Sequence, residues 1–219
     1  VIEGELASGD EVKAAIDASL RTRIKANHSA THLMHEALRQ VLGEHVQQKG
    51  SLVDADKLRF DFSHSEGLTA QELQQVASIV NQQVQSNGEV LAQEMDMESA
   101  VAAGATALFG EKYGDEVRVL TMGTDRFSVE LCGGTHVSRT GDIGIFRILT
   151  EAGVASGVRR IEAVTGVGAL ADIAKADQAL AEVCDVVKAS PALAAEKVSN
   201  LRKEVRDLEK QITQLKQKL

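Results

Sequence analysis

The sequence predicts an α+β fold, a mixed or antiparallel sheet packed with helices, and three observations carry the prediction. Apolar residues alternate in short runs at 57–62, 117–122, 126–131, 143–150 and 158–164, the period of half-buried strands. Helical periodicity appears at 28–42, at 69–86 and again through the last fifty residues. The two kinds of segment follow no steady strand–helix–strand rhythm, which points away from a doubly wound parallel sheet.

Each element has its own reason. Residues 1–25 alternate loosely around a Ser8-Gly9-Asp10 turn and read as a hairpin, the remnant of a small β-barrel. Arg21, Arg23 and Lys25 would share one face of its last strand, either as a basic lip or as plain exposed charge. Asn27 is a good N-cap type, so a helix is expected from His28 to Leu42, closed by Gly43. Residues 97–108 read as a further helix carrying the small-residue run Ala100-Val101-Ala102-Ala103-Gly104-Ala105. A Gly-rich turn at 151–157 separates the last two strands.

Composition shifts near Gly166 toward Ala, Lys, Glu and Gln. A helix over 169–189 follows, with Cys184 beside Val183 and Val187 as core, and then Ser190-Pro191 starts another. Val198, Leu201, Val205, Leu208, Ile212, Leu215 and Leu219 recur at alternating steps of three and four. That is a coiled-coil-like seam over about three heptads. It serves either a hairpin folded on itself or self-association through the C-terminal helix. The expected division is therefore 1–25 (barrel remnant), 26–166 (α+β core) and 167–219 (helical arm).

Composition bounds the function. The 219 residues are 43% hydrophobic and 26% charged, the balance of a globular chain able to bury a core. No Trp, one Tyr and five Phe argue against aromatic platforms for single-stranded nucleic acid. A net charge of -8 argues against binding nucleic acid through overall charge, though not against a local basic site. Two cysteines make no disulfide framework and favour a reducing, cytoplasmic setting. No apolar run approaches a membrane span, and the first residues have neither the basic nor the apolar region of a signal peptide. With no initiating Met and a final residue inside a charged helix, the chain is expected to be a piece of something longer.

Chemistry concentrates in two short segments. In Asn27-His28-Ser29-Ala30-Thr31-His32-Leu33-Met34-His35, the three histidines fall on one helical face opposite an apolar stripe. His28 and His32, at i and i+4, have the spacing to grip one metal ion, and equally that of a surface histidine pair. In Leu131-Cys132-Gly133-Gly134-Thr135-His136, two glycines permit a tight turn that returns His136 beside Cys132. Three imidazoles and a thiolate suit Zn2+, provided the fold joins segments about a hundred residues apart.

H-x3-H (His28, His32) followed by C-x3-H (Cys132, His136) resembles the editing domain of the alanyl-tRNA synthetases and its free-standing relatives. Supporting text includes Gln48-Lys49-Gly50-Ser51, Leu58-Arg59-Phe60-Asp61-Phe62, Ala107-Leu108-Phe109-Gly110-Glu111-Lys112-Tyr113 and Val158-Arg159-Arg160-Ile161-Glu162-Ala163. The resemblance covers nearly the whole chain. The threonyl enzyme's editing domain is a more distant likeness. Nothing in the sequence resembles a class II aminoacylation core.

The resemblance implies hydrolysis of the ester that joins serine or glycine wrongly to tRNA(Ala). An alanine pocket has too little contact energy to exclude either amino acid, so a second site must discard them. His28, His32, Cys132 and His136 would hold Zn2+, with His35 left outside the set. Thr31 and Gln48 would face the substrate, and Cys132 would serve catalysis as a ligand. Arg159 and Arg160 are candidates for tRNA phosphates, one of them as a plain salt-bridge partner. Asp61, Glu130 and Glu162 are candidates to orient the histidines, and sequence does not choose among them. A tRNA-binding module with a purely structural zinc is the alternative, and on either reading the -8 charge predicts weak tRNA binding by this piece alone.

Overall fold

The computed structural model describes residues 4–5, 7–106 and 114–218. The chain divides into two compact units, Val1–Ala169 and Leu170–Leu219. In chain order the described elements are α1 (Ala18–Leu42), β1 (Gln48–Val53), β2 (Leu58–Ser63), α2 (Ala70–Gln85), β3 (Val90–Asp96), α3 (Met97–Ala102), β4 (Glu116–Met122), β5 (Ser128–Leu131), β6 (Phe146–Ala155), β7 (Val158–Thr165), α4 (Gly166–Val187) and α5 (Pro191–Lys216). The class is α+β, with every strand pair in its two sheets antiparallel.

The first correction concerns the start of α1. The helix begins at Ala18, not His28, because Asp17 is its cap: the carboxylate accepts from the backbone N–H of Ser19 at 2.8 Å and of Leu20 at 3.0 Å. Asn27 lies inside the helix and spends its capping chemistry on tertiary bonds. It donates to the Asp54 carbonyl at 2.9 Å and accepts from the Thr165 hydroxyl at 2.7 Å. Among the described residues of 1–25 there is no strand, so the barrel remnant is not present there. Arg21 and Lys25 share a helical face, whereas Arg23 points away from it and pairs with Asp56 at 3.2 Å.

The larger sheet has the order β1-β2-β7-β6. Alternation on β2 and β7 turns Leu58, Phe60, Phe62, Ile161 and Ala163 to one face, where all are fully buried. They pack against Leu33, Met34 and Leu38 of α1 and Val76, Val80 and Val84 of α2. A capping box between Thr69 and Glu72 starts α2. The β6–β7 turn is tighter than the expected loop at 151–157. Strand pairing continues to Ala155 through two register shifts, and Gly157, at φ +67°, closes the corner.

The smaller sheet, β3-β4-β5, has two buried faces. Val117, Val119 and Leu131 cover Ala100 of α3, while Leu120 and Met122 join the main core. This division turns Glu130 and Cys132 toward α1. Helix α3 ends at Ala102, short of the expected 108, as Gly104 leaves the helix at φ +79°. The end of that expected helix and the Ala107–Tyr113 motif lie among or beside residues 107–113, outside the described residues. Edge strands β1 and β3 escaped the sequence reading because their exposed faces give them no alternation.

In the second unit Lys188, at φ +52°, stops α4, and Pro191 occupies the first turn of α5. Cys184 and Ala194 are buried. Beyond them the heptad seam is open to solvent, with Leu201 40%, Leu208 49% and Leu215 61% exposed. A hairpin packed along its length would bury these residues. Apolar cover is confined to the turn, where Val187, Val198, Leu201 and Val205 line a shallow groove.

Candidate metal centre

Two successive turns of α1 and the segment after β5 meet at one point. The ligand atoms of His28, His32, Cys132 and His136 all lie within 4.8 Å of one another. The Cys132 thiol is 3.7 Å from His28 Nε2 and 3.3 Å from His136 Nε2. Ligand atoms 2.0–2.3 Å from a shared tetrahedral centre stand roughly 3.3–3.7 Å apart, so these spacings suit a single ion.

The surrounding groups fix which ring nitrogen points inward. His32 gives its Nδ1 side to Glu130 Oε2 at 2.7 Å, and Ser29 Oγ lies 3.2 Å from His136 Nδ1. Both rings then present Nε2 to the centre. His32 Nε2 is buried without a hydrogen-bond partner, the mark of a donor aimed at something other than protein. Of the three carboxylates proposed to orient the histidines, Glu130 alone does so. Asp61 holds Arg160, and Glu162 holds Lys57 at 2.7 Å.

Electrostatics favours the ligand forms. Burial would raise the Cys132 thiol, yet the neighbouring imidazoles of His136, His28 and His32 bring it down to about 3. Burial lowers His136 to about 4, leaving it neutral at physiological pH. His32 goes the other way. Burial opposes its charge, but the Glu130 carboxylate and Cys132 outweigh burial and raise it to about 10. Burial acts to raise Glu130 as well, and His32 followed by His35 hold it well below the usual carboxylate range.

Backbone shape completes the centre. A Cβ on Gly134 would stand 2.3 Å from His28 Cε1, so only glycine lets that ring approach. Arg118 braces the turn, its Nη1 donating to the carbonyls of Cys132 at 2.9 Å and Gly134 at 2.7 Å. Sequence reasoning missed Arg118 and Ser29. Arg118 carried a readable signal, a charge in phase with apolar Leu120 and Met122 on β4. Ser29 carried none.

The centre opens into a cleft of about 330 Å³ lined by Thr31, Gln48, Ser51, Gly133 and Gly134 beside His28, His32 and Cys132. Thr31 donates to the Asn27 carbonyl at 2.9 Å, which leaves its oxygen lone pairs free to accept. Gln48 is the first residue of β1. Arg159 and Arg160 are absent from the lining. Arg159 Nε donates to Glu151 at 2.5 Å, and Arg160 forms two bonds to Asp61 at 2.6 and 2.7 Å. His35 also stays outside the four-residue group.

Residues 117–162, which include Cys132 and His136, match the family described as the threonyl and alanyl tRNA synthetase second additional domain. The chain is 53% identical over all 219 residues to the alanine–tRNA ligase of Pseudoalteromonas translucida. It is 56% identical over 216 residues to that of Nitrosomonas eutropha and 55% over 219 to that of Chromohalobacter salexigens. It spans about a quarter of the length of these relatives, 25% in each case.

Proposed function

We propose, from the homology that relates the whole chain to a quarter of an alanine–tRNA ligase, that it is the editing part of such an enzyme. It hydrolyses the ester of Ser-tRNA(Ala) and Gly-tRNA(Ala) and carries no aminoacylation. The observation that supports this best is the opening of the His28/His32/Cys132/His136 group into a cleft shared with Thr31 and Gln48. Three imidazoles, two of them oriented by Glu130 and Ser29, and a thiolate fit Zn2+, and the ion when bound would supply Lewis-acid charge close to the ester.

The protein's own groups do the rest. The Thr31 oxygen accepts from, and the Gln48 amide pairs with, the amino-acid hydroxyl or the terminal ribose in the cleft. Water adds to the ester carbonyl and the ribose oxygen leaves with a proton, giving free amino acid and intact tRNA. Cys132 takes part through its place in the metal group. Of the two arginines, Arg160 keeps 33% of its side chain exposed against 19% for Arg159, so Arg160 is assigned the tRNA phosphate contact. The exposed seam on α5 is assigned to self-association, and the protein to the cytoplasm. No described helix is long and apolar enough to cross a membrane.

Deacylation of Ser-tRNA(Ala) and Ala-tRNA(Ala) by wild type and Cys132→Ala tests the reading. Loss of serine release in the variant, with Ala-tRNA(Ala) spared by wild type, is expected. Equal turnover by the two proteins overturns it. A second reading, a tRNA-binding module with structural zinc, draws on the closed four-ligand set. It requires salt-sensitive tRNA affinity without turnover.

A further inference from the structure

One buried carboxylate serves two imidazoles, and only one of them belongs to the metal group. Glu130 Oε2 lies 2.7 Å from His32 Nδ1 and Oε1 lies 3.0 Å from His35 Nδ1. The three side chains are 4–6% exposed. His35 follows His32 by three residues and so shares its helical face one turn deeper. There its ring rests against Phe60, with centroids 5.2 Å apart, and its Nε2 is buried without a hydrogen-bond partner. A leucine or phenylalanine would fill that space without burying an unmatched polar atom. Packing alone therefore does not account for an imidazole at this position.

The bond to Glu130 does account for it. A carboxylate tied at one oxygen can swing about its last torsion, and among the described residues this one has one further, longer contact. The Ser128 hydroxyl reaches Oε1 only at 3.4 Å. Glu130 is 4% exposed, which keeps bulk water from replacing a lost donor. We propose that His35 is a positioning residue for the metal group: its Nδ1–H fixes the Glu130 carboxylate in the orientation that turns His32 Nε2 toward Cys132 and His136. The chain of contact runs His35–Glu130–His32 and ends at the ion. It rests on the metal reading of the four-residue group.

The test uses the full chain, zinc affinity by competition with a chromophoric chelator, the visible spectrum of the cobalt(II) form, and thermal unfolding. His35→Phe keeps the volume and removes the donor. It weakens zinc binding roughly 10–100-fold and alters the cobalt spectrum. His35→Asn, whose amide reaches where Nδ1 stood, restores zinc binding to within about threefold of wild type. Glu130→Gln weakens binding, and adding His35→Phe to it brings no further loss, because both act through one carboxylate. A His35→Phe protein that binds zinc like wild type, or effects of the two substitutions that multiply, overturns the proposal. Should His35→Phe fail to fold, zinc release from His35→Asn decides: a rate near wild type supports the proposal, and one as fast as Glu130→Gln overturns it. A wild-type chain that takes up no zinc instead overturns the metal reading beneath it.

Discussion

The Ser29 hydroxyl lies 3.2 Å from Nδ1 of His136 and 3.2 Å from the backbone nitrogen of Val137, joining α1 to the segment after β5. With His136 Nε2 directed at the metal group, its Nδ1 carries the proton, so the Ser29 oxygen accepts from both neighbours. Ser29 is fully buried, out of reach of bulk water. Ser29→Ala therefore strands two donors. It should lower stability by about 1–3 kcal/mol in urea unfolding. It should also weaken zinc roughly tenfold in a chelator competition. A variant that unfolds earlier yet binds zinc unchanged would show that Ser29 serves packing alone.

Ser29 also marks the limit of what the sequence reveals about the centre. The four-residue group was legible because residue type and spacing both declare it. His28 and His32 lie one turn apart, and Cys132 and His136 flank a double glycine. The groups that orient them are ordinary serine, glutamate and arginine. Their roles arise only when α1 crosses the smaller sheet, a relation between residues about a hundred positions apart. Asp61, Glu130 and Glu162 were equal candidates until strand register turned Asp61 and Glu162 to the outer face and Glu130 to the inner one.

The two glycines of the Cys132–His136 turn are not equivalent. A Cβ at Gly133 meets nothing within 4 Å, while one at Gly134 comes within 2.3 Å of His28 Cε1 and 2.8 Å of its Nδ1. Gly133→Ala should leave zinc content near wild type by elemental analysis. Gly134→Ala should lose most of it, since the His28 ring must withdraw. The fold should persist in Gly134→Ala, because His28 lies at the cleft and outside the main core. Equal zinc content in the two variants would contradict this geometry.

The titration of the ligands predicts where the proton goes when metal binds. Near pH 7 the Cys132 thiol, brought down to about 3, is already a thiolate, and His136, lowered to about 4, is already neutral. His32, raised to about 10, is protonated and must give up its Nε2 proton to become a ligand. Zinc uptake at pH 7 should thus release about one proton from His32, read by calorimetry in buffers of different ionisation enthalpy. Affinity should therefore already fall by about tenfold per pH unit below the pKa of His32, and more steeply once pH drops through that of His136. In Cys132→Ser, whose hydroxyl has no thiolate form, affinity should fall sharply across the whole range.

The fold was legible where packing matched local pattern and illegible where tertiary bonds overrode it. Strands β2, β4 and β7 alternate because each has a core face. The helix start was misplaced because Asn27 has the chemistry of a cap but bonds Asp54 and Thr165 instead, while Asp17 sits before a stretch with no apolar stripe to announce a helix. The seam on α5 was visible by spacing, but spacing does not state what covers it.

Arg159 and Arg160 are adjacent on β7 and therefore face opposite sides of the sheet, so their substitutions should separate fold from tRNA contact. Arg159 points inward to Glu151, with its guanidinium close against Gly67 and Gly153; a Cβ on Gly153 would come within 2.8 Å of Nη1. Arg159→Gln leaves Glu151, 7% exposed, without its partner. It should lower Tm and leave the salt dependence of tRNA binding unchanged. Arg160 lies on the outer face, where Asp61 holds it in a planar, two-bond orientation with one edge of the guanidinium outward. Arg160→Gln should lower Tm less than Arg159→Gln, since Arg59 stays 4.0 Å from Asp61, and should weaken tRNA binding. The slope of log affinity against log salt should become shallower by about one, the loss of one phosphate contact. An unchanged slope in Arg160→Gln would place the phosphate contact elsewhere on the chain, and a large fall in its Tm would make the Asp61 pair a structural one.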